Sequence, residues 1–256
     1  MYKKEINGKT QLICSILIFA VFCVLSLILK FVNFGYEKNV VLDKLVHFII
    51  SGGLAILCYF LIRNSKTFAT KICISKSTNV MTGLMWMVFL ILLLLAGTLS
   101  NWIEIFRLDS YKIIACFLSA ASAAVFEEFL VRGLMIAAFI KFYEKSKYQL
   151  LLTGISSALV FGLLHYYNLV STSFQDTSIQ VFYAAAIGMI FACIRIRYRN
   201  LWLPILIHFI IDFQPAIIET GTPGNSWITV LLLFTPIIVV SALVLFKMDR
   251  DRNRVK

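Results

Sequence analysis

The stretch IIACFLSAASAAVFEEFLVRGLMIAAFI, Ile113 to Ile140, decides how the chain is read. It is apolar for longer than the roughly 20 residues a helix needs to cross a bilayer, yet Glu127, Glu128 and Arg132 stand near its middle. An ionisable side chain at the bilayer centre costs about 2.5 to 3.5 kcal/mol on insertion scales, so two adjacent acids there demand partners and a reason. Working outward, further apolar segments run from Gln11 to Phe31, Leu45 to Ile62, Val80 to Leu99, Leu150 to Tyr167, Ile179 to Ile194, Leu201 to Ile218 and Trp227 to Phe246. Together they predict an all-α polytopic membrane protein, a bundle of about eight transmembrane helices.

Composition agrees. Hydrophobic residues fill 60% of the 256 positions and only 14% are charged, with mean hydropathy +0.88, far more than a soluble core requires. The net charge of +11 does not point to nucleic acid, because the basic residues sit in short clusters between apolar runs and not along one helix face or tail. Three loops carry them: Arg63, Lys66, Lys71 and Lys76; Lys141, Lys145 and Lys147; Arg195, Arg197 and Arg199. With Lys3, Lys4 and Lys9 before the first segment and the basic tail from Lys247 to Lys256, these predict a multi-pass protein of the cell membrane with both termini cytoplasmic. The six cysteines show no C-x-x-C pair and read as small buried hydrophobes. The first segment is too long for a signal peptide's apolar core. No repeat, low-complexity tract or long linker interrupts the chain, so residues 1–256 form a single membrane domain. Pro204 falls in the first turn of the seventh helix, Pro215 where that helix should end, and Pro236 inside the eighth, where it would kink it.

Ionisable residues inside the apolar runs carry the functional information. At about 100° per residue Glu128 and Arg132 share a helix face and can pair, while Glu127 points a quarter-turn away with no counter-charge on its own helix. Glu128 and Arg132 therefore read as a self-neutralising structural pair, and Gly133 as room for a close neighbour. The fifth segment holds Phe161 one turn before His165; the seventh holds His208 and Asp212 at i, i+4, facing the same way. Either histidine taken alone could simply bond a carbonyl. His47, beside Asp43 and Lys44 at the start of the second segment, reads as an interfacial residue.

Taken in order, E-E-x-x-x-R at Glu127, Glu128 and Arg132, F-x-x-x-H at Phe161 and His165, and H-x-x-x-D at His208 and Asp212 resemble the signature of the CAAX prenyl protease and bacteriocin-processing (CPBP, Abi) family of intramembrane proteases. The resemblance covers about residues 113–218, which would be the catalytic core. It implies an eight-helix α-bundle with a polar intramembrane cavity, and hydrolysis of a peptide bond in a membrane-associated peptide or protein, whether a lipidated protein, a bacteriocin or a pheromone. It also implies a runner-up, a non-proteolytic scaffold or bacteriocin-immunity protein that keeps the motif; proton or ion transport is a weaker third reading. Within the protease reading, Glu127 is the general base, His165 helps hold the water, His208 and Asp212 line the oxyanion side, and Glu128, Arg132 and Phe161 support them. Two imidazoles and a carboxylate would also suit zinc, with His165, His208 and Glu127 as ligands, so the metal stays open at this point; H-E-x-x-H is absent. The lipid bilayer and a membrane-associated substrate are the partners. One tension remains: charge orientation places Glu127 near mid-membrane but His165 close to the outer end of its helix, so their meeting requires tilt or a dip.

Overall fold

The computed structural model describes residues 6–32, 40–63, 68, 72–218 and 226–254; Lys3, Lys4, Lys66, Lys71 and Lys256 lie outside the described residues. Among the described residues, seven helices are long and apolar enough to cross a membrane. They are α1 (Gly8–Val32), α2 (Val40–Arg63), α3 (Lys76–Leu95), a rod of α5 (Ser110–Glu128) and α6 (Ile136–Phe142), α7 (Gln149–Leu164), α8 (Phe174–Tyr198) and α10 (Trp227–Asn253). Two shorter helices complete the set, α4 (Thr98–Ile105) and α9 (Trp202–Asp212). The all-α bundle is as expected.

The seventh expected span is shorter than its apolar run. The segment from Leu201 to Ile218 is not one spanning helix, since α9 has only 11 residues, about 16 Å at about 1.5 Å per residue, half of a bilayer core. Proline explains the break. Gln214, before Pro215, is extended (φ −149°, ψ 157°), as the ring of a following proline demands, and a short 3₁₀ turn follows at Pro215–Ile217. The helix therefore stops at Asp212, three residues before the proline. α9 nevertheless takes the chain outward, because it starts deep: Trp202 packs edge-on against Phe129, partway along the α5–α6 rod, with ring centroids 5.9 Å apart. Running antiparallel to α5, it brings Phe209 to Phe117 at 5.3 Å. Its far end is braced by α4, an element not foreseen from the sequence, through Trp102 Nε1 donating to the Ile210 carbonyl (3.0 Å) and Asn101 Nδ2 to Gln214 Oε1 (2.6 Å).

Side chains divide as a lipid solvent requires. Large aliphatics such as Leu17 (59% exposed), Leu94 (66%) and Leu232 (72%) cover the outside, a surface that would aggregate in water and that lipid tails satisfy. α8 is the most enclosed of the long helices and packs along α7 and α10, while α2 packs along α5. The α2–α5 seam is tied by Ser122 Oγ donating to Ser51 Oγ at 2.7 Å. Gly133 does admit a close neighbour: a Cβ there would lie 2.3 Å from Ile62 Cδ1. α10 runs unbroken through Pro236. Of the cysteines, Cys58, Cys116 and Cys193 are buried, Cys14 and Cys23 partly so, and Cys73 is exposed, against expectation.

All the described basic loops gather at one end. Lys141 Nζ donates to the Ile6 carbonyl beside the start of α1, and Arg252 Nη2 to the Ser146 carbonyl between α6 and α7. Arg197 Nη2 reaches Asn79 Oδ1 near the start of α3, and Lys247 Nζ reaches Ser77 Oγ. Both described chain ends thus share one end of the bundle, the arrangement an even number of crossings produces. The last turn of α10 also caps two neighbours. Asp249 accepts from Leu150 N (3.0 Å) and Leu151 N (2.9 Å), amides in the first turn of α7; Asp251 Oδ2 accepts from Ser75 N (2.9 Å) and Thr78 Oγ1 (2.7 Å) at the start of α3. Helix N-termini leave amides unpaired and carry partial positive charge, and these carboxylates answer both.

Candidate active site

The three motifs converge. Glu127 and Glu128 are the last residues before α5 widens into a π-helical stretch, Phe129–Met135, that contains Arg132. Such wide turns interrupt α-helices chiefly where function needs an unusual side-chain fan. His165 stands where α7 tightens into a 3₁₀ turn, His165–Val170, so the expected span to Tyr167 ends as an α-helix at Leu164. The depth problem dissolves on counting from the shared loop at the basic end. Glu127 lies 15 residues inward from Phe142 (142 − 127) and His165 lies 16 inward from Gln149 (165 − 149), so the two reach a similar level. The deep start of α9 then sets His208 beside them.

His208 is the hub. Its Nδ1 lies 3.1 Å from Glu128 Oε1, and its Nε2 lies 3.3 Å from Asp212 Oδ2 and 3.9 Å from Glu127 Oε2. Arg132 Nη1 donates to the same Glu128 Oε1 at 2.9 Å, with both side chains fully buried. The pairing read from the i, i+4 spacing is present, but it is not self-contained: Glu128 also fixes the His208 ring, which ties the pair into the site. Glu127 differs from its neighbour. Its side chain is 28% exposed, its Oε2 is shielded without a hydrogen bond, and His165, His208, Asp212 and Glu128 all act on it electrostatically. Asp212 keeps 27% exposure, and His165 is also part-exposed, so the cluster has an open side.

His165 Nδ1 lies 2.8 Å from the Phe161 carbonyl oxygen, which can only accept. Nδ1 therefore carries the proton, and Nε2 is the atom left over. Phe161 meets both histidines edge-on, with centroids 5.0 Å from His165 and 5.9 Å from His208, and lies under the Arg132 guanidinium at 3.9 Å. That stacking depends on Gly188, where a Cβ would come within 3.1 Å of the Phe161 ring and 3.2 Å of Arg132 Nη2.

Besides Gly188, two contributors from α8 escape a motif-based reading. Phe191 packs on His208 (5.6 Å) and under Arg132 (5.3 Å). Arg195, which the charge pattern assigns to a loop, is buried inside α8 and donates from Nε to the Arg132 carbonyl at 3.1 Å. Gly188, Phe191 and Arg195 fall at i, i+3 and i+7, one helix face, which is the signal that could have found them. His47 stays apart, 3.8 Å from Asp43 on α2.

Zinc fits this arrangement poorly. Among the described residues no group of three His, Cys, Asp or Glu side chains is placed to hold a metal ion. Both ring nitrogens of His208, moreover, already face carboxylates of Glu128 and Asp212.

In sequence, residues 109–214 match the model of a family described as type II CAAX prenyl endopeptidase Rce1-like. No curated protein and no solved structure matches the chain. The matched residues include all three motifs, so the resemblance read from those motifs holds.

Proposed function

With residues 109–214 matching the Rce1-like endopeptidases, we propose that this protein is an intramembrane endopeptidase in which Glu127 activates water against a peptide bond of a membrane-associated, lipidated substrate. The observation that carries this reading is the contrast inside one dipeptide. Glu128 is fully buried, its Oε1 held by both Arg132 and His208, whereas Glu127 has no arginine partner among the described residues, stands beside two histidines and keeps an open side at 28% exposure.

The chemistry follows from the donors and acceptors. A water between Glu127 and His165 would donate one hydrogen to the Glu127 carboxylate and the other to His165 Nε2, turning its lone pair toward the substrate carbonyl. As the oxygen attacks the carbonyl carbon, its proton passes to Glu127. The tetrahedral oxyanion then faces His208, whose Nδ1–H stays on Glu128 while its Nε2–H is shared between Asp212 and the oxyanion. When the C–N bond breaks, Glu127 returns the proton to the leaving amine. No metal is required by these steps. The basic end of the bundle faces the cytoplasm of the cell in this reading, with both termini there.

The experiment is direct. Purified full-length protein is incubated with a farnesylated peptide ending in cysteine, two aliphatic residues and a variable residue, and the products are weighed by mass spectrometry. Release of the carboxy-terminal tripeptide, surviving stringent chelation, is expected. An intact peptide alongside a retained cellular phenotype would favour the scaffold, and loss on chelation that zinc restores would make His165 and His208 ligands.

A further inference from the structure

The end of α9 is held by an element that lies outside the matched residues 109–214. The final carbonyls of an α-helix have no partner further along it, and α9 must find theirs elsewhere. The backbone answers two of them as the chain leaves the helix: Phe213 N donates to the Phe209 carbonyl and Gln214 N to the Asp212 carbonyl, both at 2.8 Å. Another is answered from a different helix. Trp102 Nε1, on α4, donates to the Ile210 carbonyl at 3.0 Å, which makes Trp102 a cap supplied in trans.

The local sequence of α4 delivers that donor. The chain leaves α3 through Gly97, in a left-handed conformation (φ 75°) that glycine adopts at no steric cost. Ser100 Oγ and Asn101 N both donate to the Gly97 carbonyl, at 2.8 and 2.9 Å, and the next helix starts there. Trp102 and Ile105, at i, i+3, share the inward face, with Ile105 fully buried, while Leu99 and Ile103 stay exposed. The indole meets Phe213 edge-on at 6.1 Å, and Phe213 stacks on Phe209 at 5.3 Å. Asn101 adds a second tie, from Nδ2 to Gln214 Oε1 at 2.6 Å.

What this cap controls is Asp212. It is the last residue of α9, and its Oδ2 lies 3.3 Å from His208 Nε2 within the same final turn. His208 is gripped independently by Glu128 of α5, at 3.1 Å, so fraying of that turn would release Asp212 and leave the imidazole in place. We infer that Trp102 is a positioning residue of the site: by capping α9 from α4 it holds Asp212 on His208, keeping carboxylate and imidazole in register while the oxyanion forms. The chemical part of this inference rests on the peptidase reading; the cap itself is read without it.

The test uses purified full-length Trp102→Phe protein, which keeps an aromatic ring against Phe213 and removes the indole N–H. Amide hydrogen exchange in peptides covering Phe209 to Gln214 should quicken about fivefold, the factor one ordinary hydrogen bond supplies, while peptides from α8 stay unchanged. Cleavage of the farnesylated peptide by the folded protein should lose about tenfold in kcat with KM within about twofold, the mark of a misplaced group and not of weakened substrate binding. In an Asp212→Ala background, read in single turnover, the same substitution should cost nothing further, because the group it positions is gone. Quickened exchange with kcat unchanged would leave Trp102 a structural cap and overturn the inference. Unchanged exchange, or the same loss of rate in the Asp212→Ala background, would overturn it as well. Should Trp102→Phe fail to fold, Asn101→Ala, which removes the second tie, is judged by the same measurements. Failure of the wild-type protein to cleave, with exchange quickened in Trp102→Phe, would overturn the peptidase reading, and the positioning role with it, while the cap stands.

Discussion

Two buried polar clusters among the described residues are built on opposite principles. At the basic end, Asp249, Asp251 and Arg252 join the last turn of α10 to the starts of α7 and α3. Asp249 takes two amides, Asp251 an amide and a hydroxyl, and Arg252 the Ser146 carbonyl and the Gln149 side chain, with only Arg252 Nε left over. In the middle of the bundle, Glu127 Oε2, Glu128 Oε2, Arg132 Nε and Arg132 Nη2 are all buried without a hydrogen bond. Saturated polar groups fix a structure, whereas four unsaturated atoms on three adjoining residues call for something else, a substrate or a reacting water, to complete them. Under the proposed function, the difference separates a cluster that only holds the fold from one built around a reacting group, Glu127.

That comparison can be broken by mutation. Arg132→Ala should have the largest effect on stability, about 3 to 5 kcal/mol, because it strands Glu128 in the core and removes the cation stacked on Phe161. Folded protein recovered from the membrane should fall first; normal recovery and thermal stability with lost cleavage would move Arg132 into the catalytic set. Asp249→Ala should cost about 1 to 2 kcal/mol by uncapping α7, read as a lower unfolding temperature with catalysis unchanged in the protein that remains folded. Were Asp249→Ala to abolish cleavage at unaltered stability, the basic-end cluster would not be the purely structural one described. Ser122→Ala, which deletes one interhelical hydroxyl bond to Ser51, should cost about 0.6 kcal/mol. Glu127→Gln should cost least of all, leaving stability unchanged or raised, since the oxygen it replaces has no partner to lose. A marked drop in unfolding temperature for Glu127→Gln would place Glu127 with the structural carboxylates.

How far the sequence reached follows from the range of each interaction. Long apolar runs and the grouping of basic loops are properties of short windows, and both appear in the bundle. The Glu128–Arg132 pair sits one turn apart on one helix and was equally legible, because four residues of helix bring two side chains together whatever surrounds them. The role of Glu128 in gripping His208 was not, since those residues stand 80 positions apart and meet only because α9 begins deep beside Phe129. The shortness of α9 was half visible: Pro215 and the extended geometry it imposes on Gln214 end the helix, but a hydropathy window averages across both. Arg195 misled for a related reason. Its neighbours Arg197 and Arg199 lie at the bundle's end, and one more arginine nearby reads as part of their cluster until α8 proves long enough to bury it.

Glu127 is the one residue the proposed hydrolysis cannot lose. Wild-type protein and Glu127→Gln, purified identically and matched for unfolding temperature, are compared for cleavage of the farnesylated peptide under stringent chelation. The amide keeps the size of the side chain and most of its hydrogen bonding but cannot take a proton from water, so kcat/KM should fall by about a thousandfold, within the range a positioned general base supplies. Cleavage by Glu127→Gln at a rate comparable to wild type would contradict it.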